Sequence, residues 1–165
     1  MRRAKIFISL LLVAGLASGC ATPFDIGGAD RVITPREVAQ NAAFTKNRSV
    51  AWGGTVVNSQ NLPNNTQLEV VAYPLDSNNR PKADAGPLGR FLIVQPGYIE
   101  TADYAPGREV TVVGDVNETR TGKVGEAPYI YPVVSATKLQ LWPKDAGQKS
   151  SEPQFHFGFG IGVIR

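Results

Sequence analysis

Apolar and polar residues alternate along five stretches in the middle of the chain, as in strands that bury one face. The clearest case places Val110, Val112 and Val116 on one face, with Glu109 and Asp115 on the other. Leu139 and Leu141 are likewise expected to point inward, and Pro132 is expected at an edge or a break, because proline cannot donate a ladder hydrogen bond. The predicted strands are residues 50–58, 67–73, 90–95, 109–117 and 129–142.

Five short strands separated by turn residues predict an all-β fold, a small five-stranded OB-like barrel. An immunoglobulin-like sandwich would need about seven strands. The Gly53-Gly54 pair inside the first strand suggests a bulge or a sharp coil. One insertion, residues 96–108, lies between the third and fourth strands, and a Gly-rich hairpin is expected at 121–125.

A short N-terminal helix is predicted before the barrel. Thr34 can cap its first turn, Pro35 suits the first helical position, and Glu37 can complete a capping box. The helix is expected to end near Ala43 and to pack lightly, because its apolar face consists of valine and alanine.

The first twenty residues have the organisation of an export signal. A basic start (Arg2, Arg3, Lys5) precedes a twelve-residue, mainly apolar run, residues 6–17, which is too short to span a bilayer. The small residues before Cys20 resemble the lipobox of bacterial lipoproteins. The resemblance implies lipidation of Cys20, with palmitate-type chains, and the following Ala21 implies sorting to the outer membrane. The alternative is an ordinary secretory signal with an incidental cysteine.

These observations divide the chain into four parts. We expect residues 1–19 to be a lipoprotein signal peptide, 20–48 a lipidated tether with the short helix, 49–145 the β-barrel domain, and 146–165 a linker and tail. Within the tail, residues 155–165 alternate bulky apolar residues with histidine and glycine. This pattern fits a flexible tail or an added edge strand, and alternatively a self-association or membrane-surface contact.

Composition disfavours most chemistry. The first 19 residues hold three of the 17 basic residues and none of the 14 acidic ones, so the rest of the chain is formally neutral. A protein that binds nucleic acid needs clustered lysine and arginine residues, and we therefore expect no nucleic-acid partner. One cysteine and one histidine offer little to a metal site or to acid–base catalysis. We expect no enzyme, no catalytic residue, no metal and no cofactor.

Five loop or strand-end residues are the candidates for a ligand site or for fastening loops: Asp76, Arg90, Tyr98, Asp103 and Tyr104. Asp76 before Ser77-Asn78 suits an Asx turn. Arg90 is expected to pair with Asp76 or Asp103. Tyr98 and Tyr104, with Tyr129 and Tyr131, could line a shallow saccharide-binding face or could simply be amphipathic edge residues.

One set of residues between Trp52 and Trp142 forms a recognisable pattern: Trp52-Gly53-Gly54, Leu68-Glu69-Val70, Tyr73-Pro74-Leu75-Asp76, Pro81, Gly89-Arg90-Phe91, Gly97-Tyr98-Ile99, Tyr104, Arg108, Val110-Thr111-Val112, Gly114, Glu126, Tyr129 and Leu141-Trp142. Through these residues the region resembles the Slp family of bacterial outer-membrane lipoproteins, although the Phe/Gly tail is shorter than the Trp- and Tyr-rich tails of many members. The resemblance implies an outer-membrane lipoprotein linked to starvation or stationary phase, with no catalytic residue and no established ligand.

Two functions stay open. The first is a structural or envelope-stabilising lipoprotein that contacts envelope proteins, peptidoglycan or lipopolysaccharide, with oligomers possible. The second is a module that binds a glycan or a small molecule. A deep groove would favour binding, and a filled, convex barrel would favour the structural role.

Overall fold

The computed structural model describes residues 23–41 and 48–144. Predictions about the signal peptide, Cys20, residues 42–43 and the Phe/Gly tail lie outside these residues. The described elements are one helix and five strands: α1 (Pro35–Gln40), β1 (Arg48–Asn61), β2 (Asn65–Tyr73), β3 (Arg90–Pro96), β4 (Glu109–Val124) and β5 (Ala127–Leu141).

The five strands form a closed barrel in the order β1-β2-β3-β5-β4. All neighbours are antiparallel except β3 and β5, which pair in parallel over three residues, Leu92–Val94 against Val133–Ser135. This arrangement confirms the predicted all-β, OB-like barrel. Pro132 lies one residue before β5 begins to pair with β3, so its missing N–H breaks no bond to that strand.

The glycines of β1 serve a close approach of two backbones. The register shift of β1 lies between Val56 and Asn58, three residues beyond the glycine pair, so the bulge is not at the glycines. A Cβ on Gly54 would overlap the carbonyl oxygen of Val71 on β2. Gly114 has the same relation to Ser135. Glycine is therefore required where the coiled strands of this small barrel come together.

The barrel interior is filled by small apolar side chains, largely valines, and Phe91 is the largest of those that are fully buried. Trp52 meets Phe91 edge-on, with ring centroids 5.2 Å apart. Val110, Val112 and Val116 lie in this core, as their alternation predicted, and Leu139 and Leu141 pack against it. A filled interior means that any ligand site must lie on the outside of the barrel.

Strands β4 and β5 continue as a hairpin arm, residues 117–131, beyond the strands that flank them. β4 therefore runs seven residues past its predicted end, and the turn is confined to Gly125 and Glu126. Leu92, Tyr131 and Val133 form a second, smaller apolar cluster with partly buried neighbours that include Tyr129. The burial of this outer cluster explains why the arm is ordered although it lacks strand partners on its outer sides.

The segment before α1 is attached to the barrel. Asp30 forms a parallel bridge with Val50, with hydrogen bonds of 2.9 and 2.8 Å to the backbone of β1. The indole N–H of Trp52 donates to the carbonyl of Ile33 at 2.7 Å. The sequence predicts a tether for residues 20–48. Its described part is instead packed on the barrel, because the start of β1 offers it free backbone groups.

Helix α1 is stabilised at its N-terminus by the predicted capping box. The backbone N–H of Thr34 donates to a carboxylate oxygen of Glu37 at 2.8 Å, and the N–H of Glu37 donates to the Thr34 hydroxyl at 3.3 Å. The Thr34 hydroxyl also donates to this carboxylate oxygen at 2.7 Å, and that bond, followed by the one from the Thr34 backbone N–H, lowers the pKa of the Glu37 carboxyl below its ordinary value. The buried side chains of Pro35 and Val38 hold the helix against the barrel.

Replacing Gly54 by alanine is expected to destabilise the domain by about 3 kcal/mol or more, because the new methyl group would overlap the Val71 carbonyl. Gly86→Ala is the matched control, since no atom lies within 4 Å of the Cβ position at Gly86. The control should stay within about 0.5 kcal/mol of the wild type. Urea unfolding followed by circular dichroism measures both, and equal stabilities of the two variants would contradict the close approach.

Candidate functional site

Arg90 belongs to a polar network on the outer face of β2 and β3. Its Nη1 donates to Oε1 of Glu69 at 2.7 Å, so the predicted pairing with Asp76 or Asp103 is wrong. The same Glu69 oxygen lies 3.0 Å from the hydroxyl of Tyr131 on the hairpin arm. Glu69 lies close to Arg90 because β2 and β3 pair in a register that places Glu69 opposite Leu92, two residues along β3 from Arg90. Sequence position alone does not reveal which carboxylate a strand pairing brings to an arginine.

Tyr131 is almost fully buried in this network, with 5% of its surface exposed. Its hydroxyl is 3.0 Å from both the Glu69 carboxylate and the carbonyl of Lys123. Burial, and then the adjacent Glu69 carboxylate, raise the pKa of Tyr131 to about 12. The hydroxyl is therefore a neutral hydrogen-bond donor that fastens the hairpin arm to β2.

Asp76 closes the turn that the sequence predicted. One carboxylate oxygen accepts the backbone N–H groups of Asn78 at 2.8 Å and Arg80 at 2.9 Å. The turn also requires the left-handed conformation of Asn79, whose φ is 63°. The function of the Asp76 carboxylate in the described structure is therefore to shape its own loop.

Asn79 joins this turn to two distant parts of the chain, a role that the sequence did not indicate. Its side-chain amide donates to the carbonyl of Phe24 at 2.9 Å and accepts from Arg31 at 2.9 Å. Its backbone carbonyl accepts from the buried hydroxyl of Thr111 at 2.7 Å. Asn79 thus links the N-terminal segment to β4, although only the Asn-rich turn composition marked it in the sequence.

The other three candidate residues lie in the loop 97–108. Tyr98 is 71% exposed and donates to Glu100 at 3.3 Å. Tyr104 packs against the core, and its burial raises the pKa of its hydroxyl. Asp103 is held through its backbone carbonyl, which accepts from Arg108 at 2.8 Å. Arg108 also donates to the carbonyl of Trp142 at 3.0 Å, so this loop is fastened to the end of β5.

The five candidates do not form one site. Arg90 starts β3 and Tyr98 follows its end, so the seven residues of the strand, about 20 Å, separate them. The four tyrosines fall into two groups for the same reason. Tyr129 and Tyr131 form an edge-to-face pair with centroids 4.8 Å apart near the start of β3, whereas Tyr98 and Tyr104 lie beyond its other end.

A groove of about 490 Å³ lies between α1, the start of β3 and the start of β5. Its size is within the usual range for small-molecule sites, about 300–1,000 Å³. Of the five candidate residues only Arg90 lines it, together with Tyr129 from the suggested saccharide-binding face. Its apolar wall includes Ala39, Val71, Pro87, Pro128, Tyr129 and Ile130, and its polar side chains are Arg36, Gln40 and Arg90.

Sequence reasoning missed this groove because four separate segments build it: α1, Val71 of β2, residues 87–90 and residues 128–130. The φ of Gly89 is 114°, and a Cβ there would lie 3.0 Å from the backbone nitrogen of Arg36 and 3.2 Å from the hydroxyl of Tyr129. Because glycine has no side chain, both α1 and the Tyr129 hydroxyl can approach the backbone of Gly89 closely. The backbone N–H of Arg90 donates to the Tyr129 hydroxyl at 2.8 Å. A Gly-Arg pair before an apolar strand was the available signal.

The described residues contain no group of three or more histidine, cysteine, aspartate or glutamate side chains that could hold a metal ion. In the same part of the chain, no helix is long and apolar enough to cross a membrane.

Replacing Tyr131 by phenylalanine is expected to flatten the loss of stability at alkaline pH. The pKa of Tyr131 is about 12 in the folded state, above the ordinary value of 10. The neutral hydroxyl therefore contributes fully to the free energy of unfolding below pH 10, and this contribution is lost as the pH rises to 12. The difference between the two pKa values corresponds to about 3 kcal/mol of unfolding free energy. Urea unfolding between pH 8 and 12 measures the free energy of unfolding.

Tyr98→Phe is the control, since Tyr98 is largely exposed and its ionisation is screened by solvent. It should retain the wild-type decline above pH 10. If Tyr131→Phe declines as steeply as the wild type, the buried Tyr131–Glu69 contact does not contribute as described.

Comparison with known proteins identifies the family. The profile of the Outer membrane lipoprotein Slp family matches residues 17–160. The chain is 33% identical over 132 residues to the "Uncharacterized lipoprotein YeaY" of Escherichia coli K12, covering 77% of this chain and 67% of that protein. It is 33% identical over 108 residues to an "Uncharacterized protein" of Haemophilus influenzae, covering 65% of this chain and 58% of that protein.

The "Outer membrane protein Slp" of E. coli K12 is 28% identical over 109 residues, covering 66% of this chain and 57% of that protein. The chain thus spans between 57% and 67% of the length of these relatives.

A solved small single-stranded DNA-binding protein from Streptomyces coelicolor aligns at 14% identity with a TM-score of 0.34, covering 58% of this chain and 94% of that one. A likeness this weak carries no argument about function.

The Slp profile spans the barrel and the residues around Cys20, so the resemblance of the sequence to the Slp family is confirmed. The chain belongs to the Slp family of outer membrane lipoproteins, and its place in the cell is the outer membrane.

Proposed function

We propose that this protein is a non-catalytic lipoprotein, held at the outer membrane by acylated Cys20, whose barrel stabilises the cell envelope by contact with its neighbours. The observation that carries the proposal is the attachment of the N-terminal segment to the barrel. The backbone N–H of Phe24 donates to the carbonyl of Asn78 at 3.2 Å, and Lys138 pairs with Asp25 at 2.8 Å.

This attachment limits the distance between the barrel and the bilayer. Four residues lead from Cys20 to Phe24, and they can span at most about 14 Å. An acyl chain on Cys20 would therefore keep the barrel beside the membrane surface. Three chains, as expected of a mature bacterial lipoprotein, would hold it stably, because each buried CH₂ contributes about 0.8 kcal/mol.

The environment of the carboxylates supports a role without catalysis. Asp76 is occupied by its own turn, Glu69 by Arg90 and Tyr131, and Glu109 by Arg80 at 2.7 Å. The Asp76 bonds shape one turn, and the Glu69 and Glu109 bonds fasten separate segments of the barrel to each other. Paired carboxylates that work on a glycosidic bond would instead face each other across a cleft.

Acylation is tested by growing cells with an alkyne-bearing fatty acid and labelling the purified protein. The wild type should carry the label, and Cys20→Ala should lose it because the acceptor sulfur is gone. Ser18→Ala is the matched control, since it leaves the cysteine and keeps a small residue at the expected cleavage region. Label that survives in Cys20→Ala would overturn the anchor.

The envelope role is tested in a strain that lacks the gene, by measuring uptake of a hydrophobic fluorescent dye across the outer membrane. Uptake should increase in the deletion strain and return to normal when the wild-type gene is supplied. The Cys20→Ala gene should not restore it, since the barrel would no longer be held at the membrane. Uptake that is unaffected by the deletion would argue against a structural role.

A second candidate function is ligand binding, and the groove beside α1 is the observation that favours it. Its position differs from the saccharide-binding face suggested by the sequence, because Tyr98 and Tyr104 do not line it. The chemistry of its lining restricts the kind of ligand that would fit.

A further inference from the structure

We propose that the groove between α1 and the start of β5 binds an anionic glycerophospholipid of the membrane. The phosphate would lie at Arg36 and Arg90, and an acyl chain would lie along the apolar wall formed by Val71, Pro128 and Ile130. This inference rests on the membrane attachment proposed above, which brings the groove to the lipid.

Charge points to an anion. The lining residues that the structure describes include two arginines and no acidic side chain. Glu69 balances Arg90 through a 2.7 Å ion pair, so the net positive charge of the groove rests on Arg36. The Arg36 guanidinium donates from Nη2 to the carbonyl of Pro87 at 2.9 Å. A guanidinium has five N–H donors, and that single bond leaves the others for a phosphate oxygen.

The rim is held in place before any ligand arrives. The backbone N–H of Arg36 donates to the carbonyl of Leu88 at 3.1 Å, and Tyr129 accepts from the backbone of Arg90 at 2.8 Å. The close approach at Gly89 brings the backbone of Arg36 next to the chain just before Arg90, and both arginines line the groove. Such fixed geometry reduces the entropy lost when a ligand binds.

The apolar wall points to an acyl chain. Ile130 is 46% exposed although it is a large aliphatic side chain at the edge of this groove. Pro128 and Val71 extend the same surface. A chain packed here would remove Ile130 from water, and burial of apolar surface contributes about 25 cal/mol per Å².

The groove combines a cation with an apolar wall, and this combination disfavours both a purely apolar ligand and a glycan. A purely apolar ligand would remove water from Arg36 without replacing its hydrogen bonds, which is costly. A glycan would leave the aliphatic wall without an apolar partner. A phospholipid supplies both halves, and the outer membrane provides it within reach of a barrel held at Cys20 by at most about 14 Å of chain.

The test uses the purified full-length lipoprotein in nanodiscs made of equal amounts of phosphatidylcholine and phosphatidylglycerol. Both lipids carry the same photoreactive diazirine acyl chain. After irradiation, mass spectrometry maps and quantifies the adducts. Phosphatidylglycerol adducts at residues 128–130 should exceed phosphatidylcholine adducts about tenfold, because both phosphates can accept from Arg36 but only the choline headgroup adds a positive charge that the groove repels.

Arg36→Gln should bring the two adducts to equal yields, and Arg36→Lys should retain part of the preference. Arg48→Gln is the matched control, because it removes an exposed arginine that does not line the groove. Within the described residues, the Arg36 side chain makes one hydrogen bond, an exposed one to the Pro87 carbonyl, and the substitutions leave its backbone bond to Leu88 in place. The Arg36 variants should therefore melt at the wild-type temperature.

Equal yields of the two lipid adducts in the wild type, or adducts spread over the barrel surface, would overturn the inference. So would the absence of adducts in the groove because residues 154–165 of the chain itself cover it. Co-elution of the protein with the nanodiscs is a separate readout. Co-elution without a phosphatidylglycerol preference removes only the lipid site, whereas failure to co-elute removes the anchor and the lipid site together.

Discussion

The structure depends on closing a ring of only five strands around a core of small side chains. Closure forces β1 against both β2 and β4 so tightly that a methyl group at Gly54 would meet the carbonyl of Val71. The interior is accordingly filled by valines, with Phe91 and Trp52 as its bulkiest contacts. A closed ring satisfies strand edges without a partner sheet. It also leaves no room inside for a ligand, so function must use the outer surface.

On that outer surface, polar side chains attach each loop to the barrel. Arg80 pairs with Glu109 and lies 5.8 Å from the ring of Trp142, and Arg108 holds the loop 97–108 to the end of β5. Partly exposed ion pairs contribute little energy each. The buried hydroxyl of Thr111, bonded to Asn79 and Trp142, is more demanding, because an unpaired buried polar group costs about 1–3 kcal/mol. These contacts make the N-terminal segment, the turns and the barrel one unit.

That unity connects the proposed anchor with the proposed lipid site. The segment that follows Cys20 is bonded to the barrel from Phe24 onward, and it continues into α1, which forms one side of the groove. Anchor and groove are therefore built on the same stretch of chain. A barrel kept beside the bilayer in this way could contact envelope components and membrane lipid at once.

The sequence by itself determined what local chemistry controls. Alternation placed Val110, Val112 and Val116 in the core, Thr34 and Glu37 formed the capping box, and Asp76 closed its Asx turn, because each depends on neighbours within a few residues. The tertiary structure alone decided the partner of Arg90, the hairpin arm, the packing of the N-terminal segment and the groove. Those features arise where residues far apart in sequence meet across paired strands. The register of the pairing fixes which side chains become neighbours, and no local sequence pattern contains that register.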